Sequence, residues 1–220
     1  VHFSLTQFDE SNVKKFIKEK KIKKFYTNIS KKKLPPGKKY SNKYMLENAL
    51  DQFIEKGKFN YLVFSTADII VPNNLVETLN KINVKSFCGF VFPNTQIIKG
   101  KLQNTFWPYY GIDLIVFKIN KKKAKQFKKI IKHYRQYDWG IIENFYVAVS
   151  EALDLKIINL YKSLNVIKFN NDFEAFSENR SWQINSWKEN QGYLLNFLNK
   201  NNLSKWYAYG SYYYLLYKIF

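Results

Sequence analysis

Asn60-Tyr61-Leu62-Val63-Phe64-Ser65-Thr66-Ala67-Asp68-Ile69-Ile70-Val71-Pro72 is the stretch whose reading sets the fold. Tyr61 to Phe64 form a continuous apolar run between turn signals. That is the pattern of a strand buried on both faces, as in a parallel sheet. A carboxylate, Asp68, follows just beyond the strand. In open α/β sheets ligands bind outside the carboxyl ends of the strands, so Asp68 stands where a ligand would be met.

Outward from this stretch the chain alternates strand and helix. Ser41 can cap a helix over residues 42–56 that Gly57 closes, with Leu46, Ala49, Leu50, Phe53 and Ile54 on one face. Before it, residues 1–5 alternate as a first strand. Asp9, Glu10 and Ser11 open a helix ending near Lys20, and residues 22–29 read as a second strand. Residues 31–39, with Pro35-Pro36-Gly37 inside, make a basic loop, either solvated or in contact with phosphate. After Pro72 come a helix over 73–82 and a strand over 84–92. This alternation argues for right-handed βαβ units and a parallel sheet.

The second half changes character. Residues 102–110 read as an aromatic loop holding Phe106-Trp107-Pro108-Tyr109-Tyr110, and residues 113–118 (DLIVFK) as a strand. A helix over 121–134 turns Ala124, Phe127, Ile130, Ile131 and Tyr134 inward and mostly lysine outward. Another helix covers 138–153, and short strands cover 155–160 and 166–169. From Ser186 the chain is helical and then strongly aromatic. The expected fold class is therefore α/β: a Rossmann-type, mostly parallel sheet flanked by helices, with a helical aromatic C-terminal extension.

Bulk composition narrows the classes. The 220 residues favour one domain with a short appendage, and 46% apolar with 24% charged residues is ordinary globular composition that argues against overall disorder. A net charge of +19 attracts polyanions: nucleic acid, anionic lipid or phosphorylated small molecules. AT-rich coding, which favours Lys, Asn, Ile, Phe and Tyr, is the other source of such a balance. The single cysteine, Cys88, cannot form an internal disulfide or a thiolate metal cluster. It reads as a small buried hydrophobe and suits a reducing cytosol. No apolar run approaches the roughly 18 residues of a membrane span. No signal peptide is visible, and Val1 fits a processed or trimmed start.

An amphipathic helix, an apolar strand and a short acidic motif followed by Ile69-Ile70-Val71-Pro72 resemble the donor-site segment of GT-A glycosyltransferases. Those enzymes usually carry D-x-D there; in Thr66-Ala67-Asp68 the first acid is missing. Asp138-Trp139-Gly140-Ile141-Ile142-Glu143-Asn144 is similar to the W-G-x-E-D-like segment at a helix start in some inverting families, with one extra residue and Asn for the second acid. The resemblance covers roughly residues 1–175. It implies a GT-A-like catalytic domain over 1–180, with a donor half (1–92) and an acceptor half (93–180). The extension over 181–220 would pack on that domain or associate with a membrane.

The resemblance also implies roles. Thr6, Gln7 and Asp9 would cradle the base and ribose, with Thr66 and Asp68 completing the donor site. Asp68 would hold Mn²⁺ or Mg²⁺, with Asp172 of Phe169-Asn170-Asn171-Asp172-Phe173 as a last ligand. Glu143, or Asp138, would take the proton from an acceptor hydroxyl. Trp139 and Asn144 would lie along the acceptor, joined by Trp107, Tyr109 and Tyr110, whose flat rings suit sugar faces and equally suit a core. Plainer roles exist beside these: a turn cap for Asp68, an N-cap for Asp138, a helix start for Asp9, a surface turn for Asp172. Helical periodicity places Ile141, Ile142, Phe145, Tyr146 and Val149 on one arc and leaves Glu143 off it, facing a cleft or solvent.

The expected activity is transfer of a sugar from a nucleoside-diphosphate-sugar donor to a glycan or lipid-linked acceptor, hexosyltransferase-like and inverting, in surface polysaccharide or glycoconjugate synthesis. The expected place is the cytoplasm, peripheral to the inner face of the cell membrane, with an anionic membrane surface as a further partner. Two other readings stand beside it. One is a nucleic-acid-binding protein using interleaved Lys and aromatics, against which no helix-turn-helix, zinc-finger or RNP signature is present. The other is an inactive GT-A-like binding module, suggested by the missing first acid.

Overall fold

A computed structural model of the chain describes residues 3–7, 25–29, 42–57, 59–65, 69–91, 95–98, 100–104, 112–132, 142–169 and 180–209. The elements, in order, are β1 (Phe3–Gln7), β2 (Phe25–Ile29), α1 (Asn42–Lys56), β3 (Leu62–Ser65), β4 (Ile69–Ile70), α2 (Leu75–Lys81), β5 (Phe87–Val91), β6 (Thr95–Ile98), β7 (Lys101–Asn104), β8 (Leu114–Lys118), α3 (Lys121–Lys132), α4 (Ile142–Ala152), β9 (Lys156–Asn159), β10 (Ile167–Phe169), α5 (Arg180–Lys200) and α6 (Trp206–Tyr209). The architecture is mixed α/β with three small sheets.

Local sequence explains the helices. α1 spans the residues its apolar spacing predicts, with Leu46, Leu50 and Phe53 buried. Gly57 ends it at φ +60, its N–H donating to the Phe53 carbonyl at 3.1 Å. Glycine reaches that left-handed region without the crowding a Cβ brings. α4 stops without a glycine. Asp154 takes φ 53, its N–H donates to Glu151 at 2.9 Å, and the Leu155 N–H donates to Ser150 at 3.0 Å. Lys123 of α3 satisfies two further carbonyls at that end, Leu153 at 2.6 Å and Asp154 at 3.1 Å.

The principal sheet has the order β3-β8-β5-β9. β8 runs antiparallel to both β3 and β5, while β5 and β9 are parallel. Thus β3, β5 and β9 point one way and β8 opposes them. Among the described residues the sheet is therefore mixed. A parallel return needs a crossover, usually a helix, to carry the chain back to the starting end. Between β5 and β8 the described residues hold instead an antiparallel hairpin, β6–β7, with Gly100 at φ +74 in its turn. β8 therefore starts where β5 ends and runs backward. The hairpin is itself a correction, because its second strand occupies residues read from sequence as the start of a loop. β6 also pairs in parallel with β10, which lies antiparallel to β4. β1 and β2 form a parallel pair, and α1 packs against both β1 and β3.

The strands buried on both faces are β5 and β8, not β3. All five residues of β5 are buried between β8 and β9. β3 lies at the sheet edge and alternates, with Val63 39% exposed and Ser65 exposed. The period-2 rule then divides the core. Cys88, Phe90, Ile115 and Phe117 face the layer of α1, α3, α4 and α5. Phe87, Val91, Leu114 and Val116 face Leu79 of α2 together with Leu160, Leu164 and Val166. α5 and α6 belong to the first of these cores through Leu194, Leu198, Tyr207 and Ala208. Phe197 meets Phe145 edge-on at 5.2 Å, a favoured aromatic geometry. Cys88 is buried, as its apolar neighbours suggest, and burial pushes its thiol up to about 12 against a hydrogen bond with Ser150.

Gly89 sits where β5 passes Leu160. A Cβ there would lie 2.7 Å from Leu160 Cδ1, and Leu160 is itself buried. Overpacking of this kind costs about 1–3 kcal/mol. Gly89→Ala should therefore lower the urea midpoint with an unchanged slope. A midpoint equal to the parent's would show that Leu160 has room to move aside.

Candidate active site at the carboxyl ends of β3 and β5

The antiparallel course of β8 builds the site. Its first residue, Leu114, pairs with Ser65 at the end of β3 and with Val91 at the end of β5. Asp113, one residue earlier, is thereby placed at the carboxyl ends of both strands. β10 brings a cation to the same end. Lys168 stands opposite Ile69 of β4 and Gln96 of β6, beside the chain that continues from β3. Its Nζ lies 3.2 Å and 3.3 Å from the two carboxylate oxygens of Asp113. Their side chains are 4% and 6% exposed. Buried charges are found paired in this way because an isolated one is too poorly solvated to remain ionised.

Glu143, in the first turn of α4, is the third member. The residue is partly exposed. Burial of its carboxyl raises its pKa from 4.5 to about 7, against a hydrogen bond from its own backbone; the Asp113 charge raises it further, and Lys168 acts in the opposite sense. A carboxyl poised near neutrality, in a site with a buried ion pair, is suited to accept and return a proton.

The two expected residues of α4 differ. The charges of Asp113 and Lys168 act on the Glu143 carboxyl, whereas Asn144 donates from Nδ2 to the Tyr207 carbonyl at 3.3 Å and ties α4 to α6. Thr6 and Gln7 lie at the carboxyl end of β1, opposite Asn28 and Ile29. Asp9, Thr66, Asp68, Trp107, Tyr109, Tyr110, Asp138, Trp139 and Asp172 lie outside the described residues. Among the described residues no three His, Cys, Asp or Glu side chains stand together as a metal site. The two acids expected to bind metal are not among them.

A scan against protein-family models finds no match, and no curated protein matches the chain.

Asp113 and Lys168 are the site residues that sequence reasoning missed, and a signal for each was present. In Val166-Ile167-Lys168, alternation puts Lys168 on the same face as Val166. Val166 is fully buried, and a lysine sharing a buried face requires an anion. Asp113 opens the otherwise apolar run Asp113-Leu114-Ile115-Val116-Phe117. Pairing these two across 55 positions depends on strand order, which no local pattern carries.

Proposed function

We propose that this chain is a glycosyltransferase in which Glu143 is the general base. The observation that carries the reading is Glu143, with its pKa near 7, beside the Asp113–Lys168 pair at the carboxyl ends of β3 and β5. Ligands of open α/β sheets gather at that end. In the reaction the Glu143 carboxylate takes the proton of an acceptor hydroxyl. The freed oxygen attacks the anomeric carbon as the bond to the nucleoside diphosphate breaks, inverting that centre. Lys168 favours the carboxylate form of Glu143, while Asp113 keeps its basicity high. Thr66 and Asp68, which follow β3 in the sequence, are the proposed donor contacts, with Thr6, Gln7 and Asp9 on the base and ribose. Trp107, Tyr109, Tyr110 and Trp139 are proposed along the acceptor. A divalent cation at Asp68 and Asp172 would supply charge neutralisation for the departing diphosphate.

Thermal-shift measurement with nucleoside diphosphates and their sugars, each with and without Mn²⁺, tests the reading. A ligand present at about 100 times its Kd stabilises a fold by roughly 2.7 kcal/mol, which is a shift of several degrees. Stabilisation by at least one nucleotide sugar is expected. A flat response across the whole panel would remove the donor site and the reading with it.

A further inference from the structure

α3 carries a surface that the proposed chemistry does not use. Seven of its twelve residues are lysine, and it contains no acid. Three of the lysines are engaged: Lys123 caps the carbonyls at the end of α4, Lys128 pairs with Asp51 of α1, and Lys132 has an interaction of its own. Lys121, Lys122, Lys125 and Lys129 are exposed. At 3.6 residues per turn these four fall within an arc of roughly 100°, and Lys132 continues the row. The arc lies away from Ala124, Phe127 and Ile131, which are buried. The four make a straight cationic ridge about 12 Å long. Among the described residues none of the four has an acidic partner.

The direction of α3 gives the ridge a relation to the site. Near its start, Lys123 touches the last turn of α4. One turn on, the Phe127 ring lies 6.3 Å from that of Tyr146, which is one turn from Glu143. α3 thus runs antiparallel to α4, and Lys129 and Lys132 lie toward the end that carries Glu143.

We infer that the lysine ridge of α3 docks the protein on an anionic lipid surface. A convex row of point charges can lie along a plane of negative head groups. Single-stranded nucleic acid is held in grooves with stacking aromatics, and reading the different base edges of a duplex takes a mixed set of side chains, Arg or Lys for guanine and Asn or Gln for adenine. The exposed positions of this ridge offer lysine and no aromatic. Docking of this kind is electrostatic and salt-sensitive. It would bring the Glu143 end of the molecule toward a membrane-borne acceptor, yet the surface stands independently of what the site catalyses.

Vesicle co-sedimentation tests the inference. The intact chain is mixed with phosphatidylcholine vesicles, with phosphatidylcholine–phosphatidylglycerol vesicles, and with a fluorescent oligonucleotide, at low and high salt. The expected result is binding to the anionic vesicles alone among the vesicles, reversed by salt. Each lysine near such a surface strengthens binding roughly fivefold. Replacing Lys121, Lys122, Lys125 and Lys129 together by Gln should therefore weaken it on the order of a hundredfold or more. Circular dichroism checks that the fold survives, and charge reversal of Lys125 and Lys129 alone serves as a second variant. Vesicle binding that survives both variants overturns the inference. So does a wild-type chain that ignores anionic vesicles, or one that prefers the oligonucleotide through these same lysines.

Discussion

Glu143→Gln should reduce sugar transfer by roughly 10²–10⁴-fold, the range contributed by a positioned general base, while making the fold more stable at alkaline pH. The two effects share one cause. Burial holds the Glu143 pKa near 7 in the folded chain, above its ordinary 4.5. The folded state therefore prefers the protonated form. Below about pH 4.5 the carboxyl is neutral in both states and has no bearing on stability. As pH rises from there through about 7, the unfolded chain releases the proton more readily, and wild-type stability falls. Gln is neutral throughout and close in shape to the protonated acid. Melting temperatures of the two proteins should therefore agree below about pH 4, under the unfolded pKa, with the variant the higher at pH 8. The acid limb of kcat/KM, with its midpoint near 7 in the wild type, should vanish in the variant's residual rate. Transfer within tenfold of wild type would dismiss Glu143 as the base. Equal melting temperatures at pH 8 would dismiss the desolvated carboxyl.

Lys168→Met should be the most destabilising single change considered. It leaves the Asp113 carboxylate in a place where its side chain is 6% exposed, without the Nζ that bonds both its oxygens. Breaking a buried pair from one side typically costs about 3–5 kcal/mol. For a chain of this size that is a fall in Tm on the order of 10 °C. Combining Lys168→Met with Asp113→Leu removes both charges, and the double variant should regain most of the loss, because the desolvation cost of the pair vanishes with its attraction. Chemical denaturation of the two single variants and the double variant completes the cycle. A double variant as unstable as the sum of the singles would mean that the two side chains do not depend on each other. Lys168 favours ionised Glu143 and Asp113 opposes it. Where Lys168→Met stays folded, its acid limb should therefore move to higher pH; a limb that stays in place would separate Lys168 from the chemistry.

The sequence spoke clearly where a short window holds the physics. α1 is legible because Leu46, Leu50 and Phe53 repeat at helical spacing and Gly57 offers the left-handed stop. The inner side of α3 follows from Ala124, Phe127 and Ile131, and all three are buried. Cys88 is legible as a buried apolar residue from its neighbours. Glu143 is singled out as off the apolar arc of its helix, and its carboxyl feels the charges of Asp113 and Lys168.

What lay beyond the sequence was direction and adjacency. An apolar run such as Leu62-Val63-Phe64 reports that a strand is wanted. It does not say whether that strand ends at an edge, as β3 does, or lies between partners, as β5 does. The run Leu114 to Phe117 likewise predicts a strand without predicting that it runs backward between β3 and β5. That single reversal puts Asp113 at the carboxyl end of the sheet, where β10 delivers Lys168 and α4 delivers Glu143. Side-chain periodicity is local, set by backbone geometry over a few residues. Which charges meet is set by strand order and the free energy of burying them together, and only the folded chain decides that.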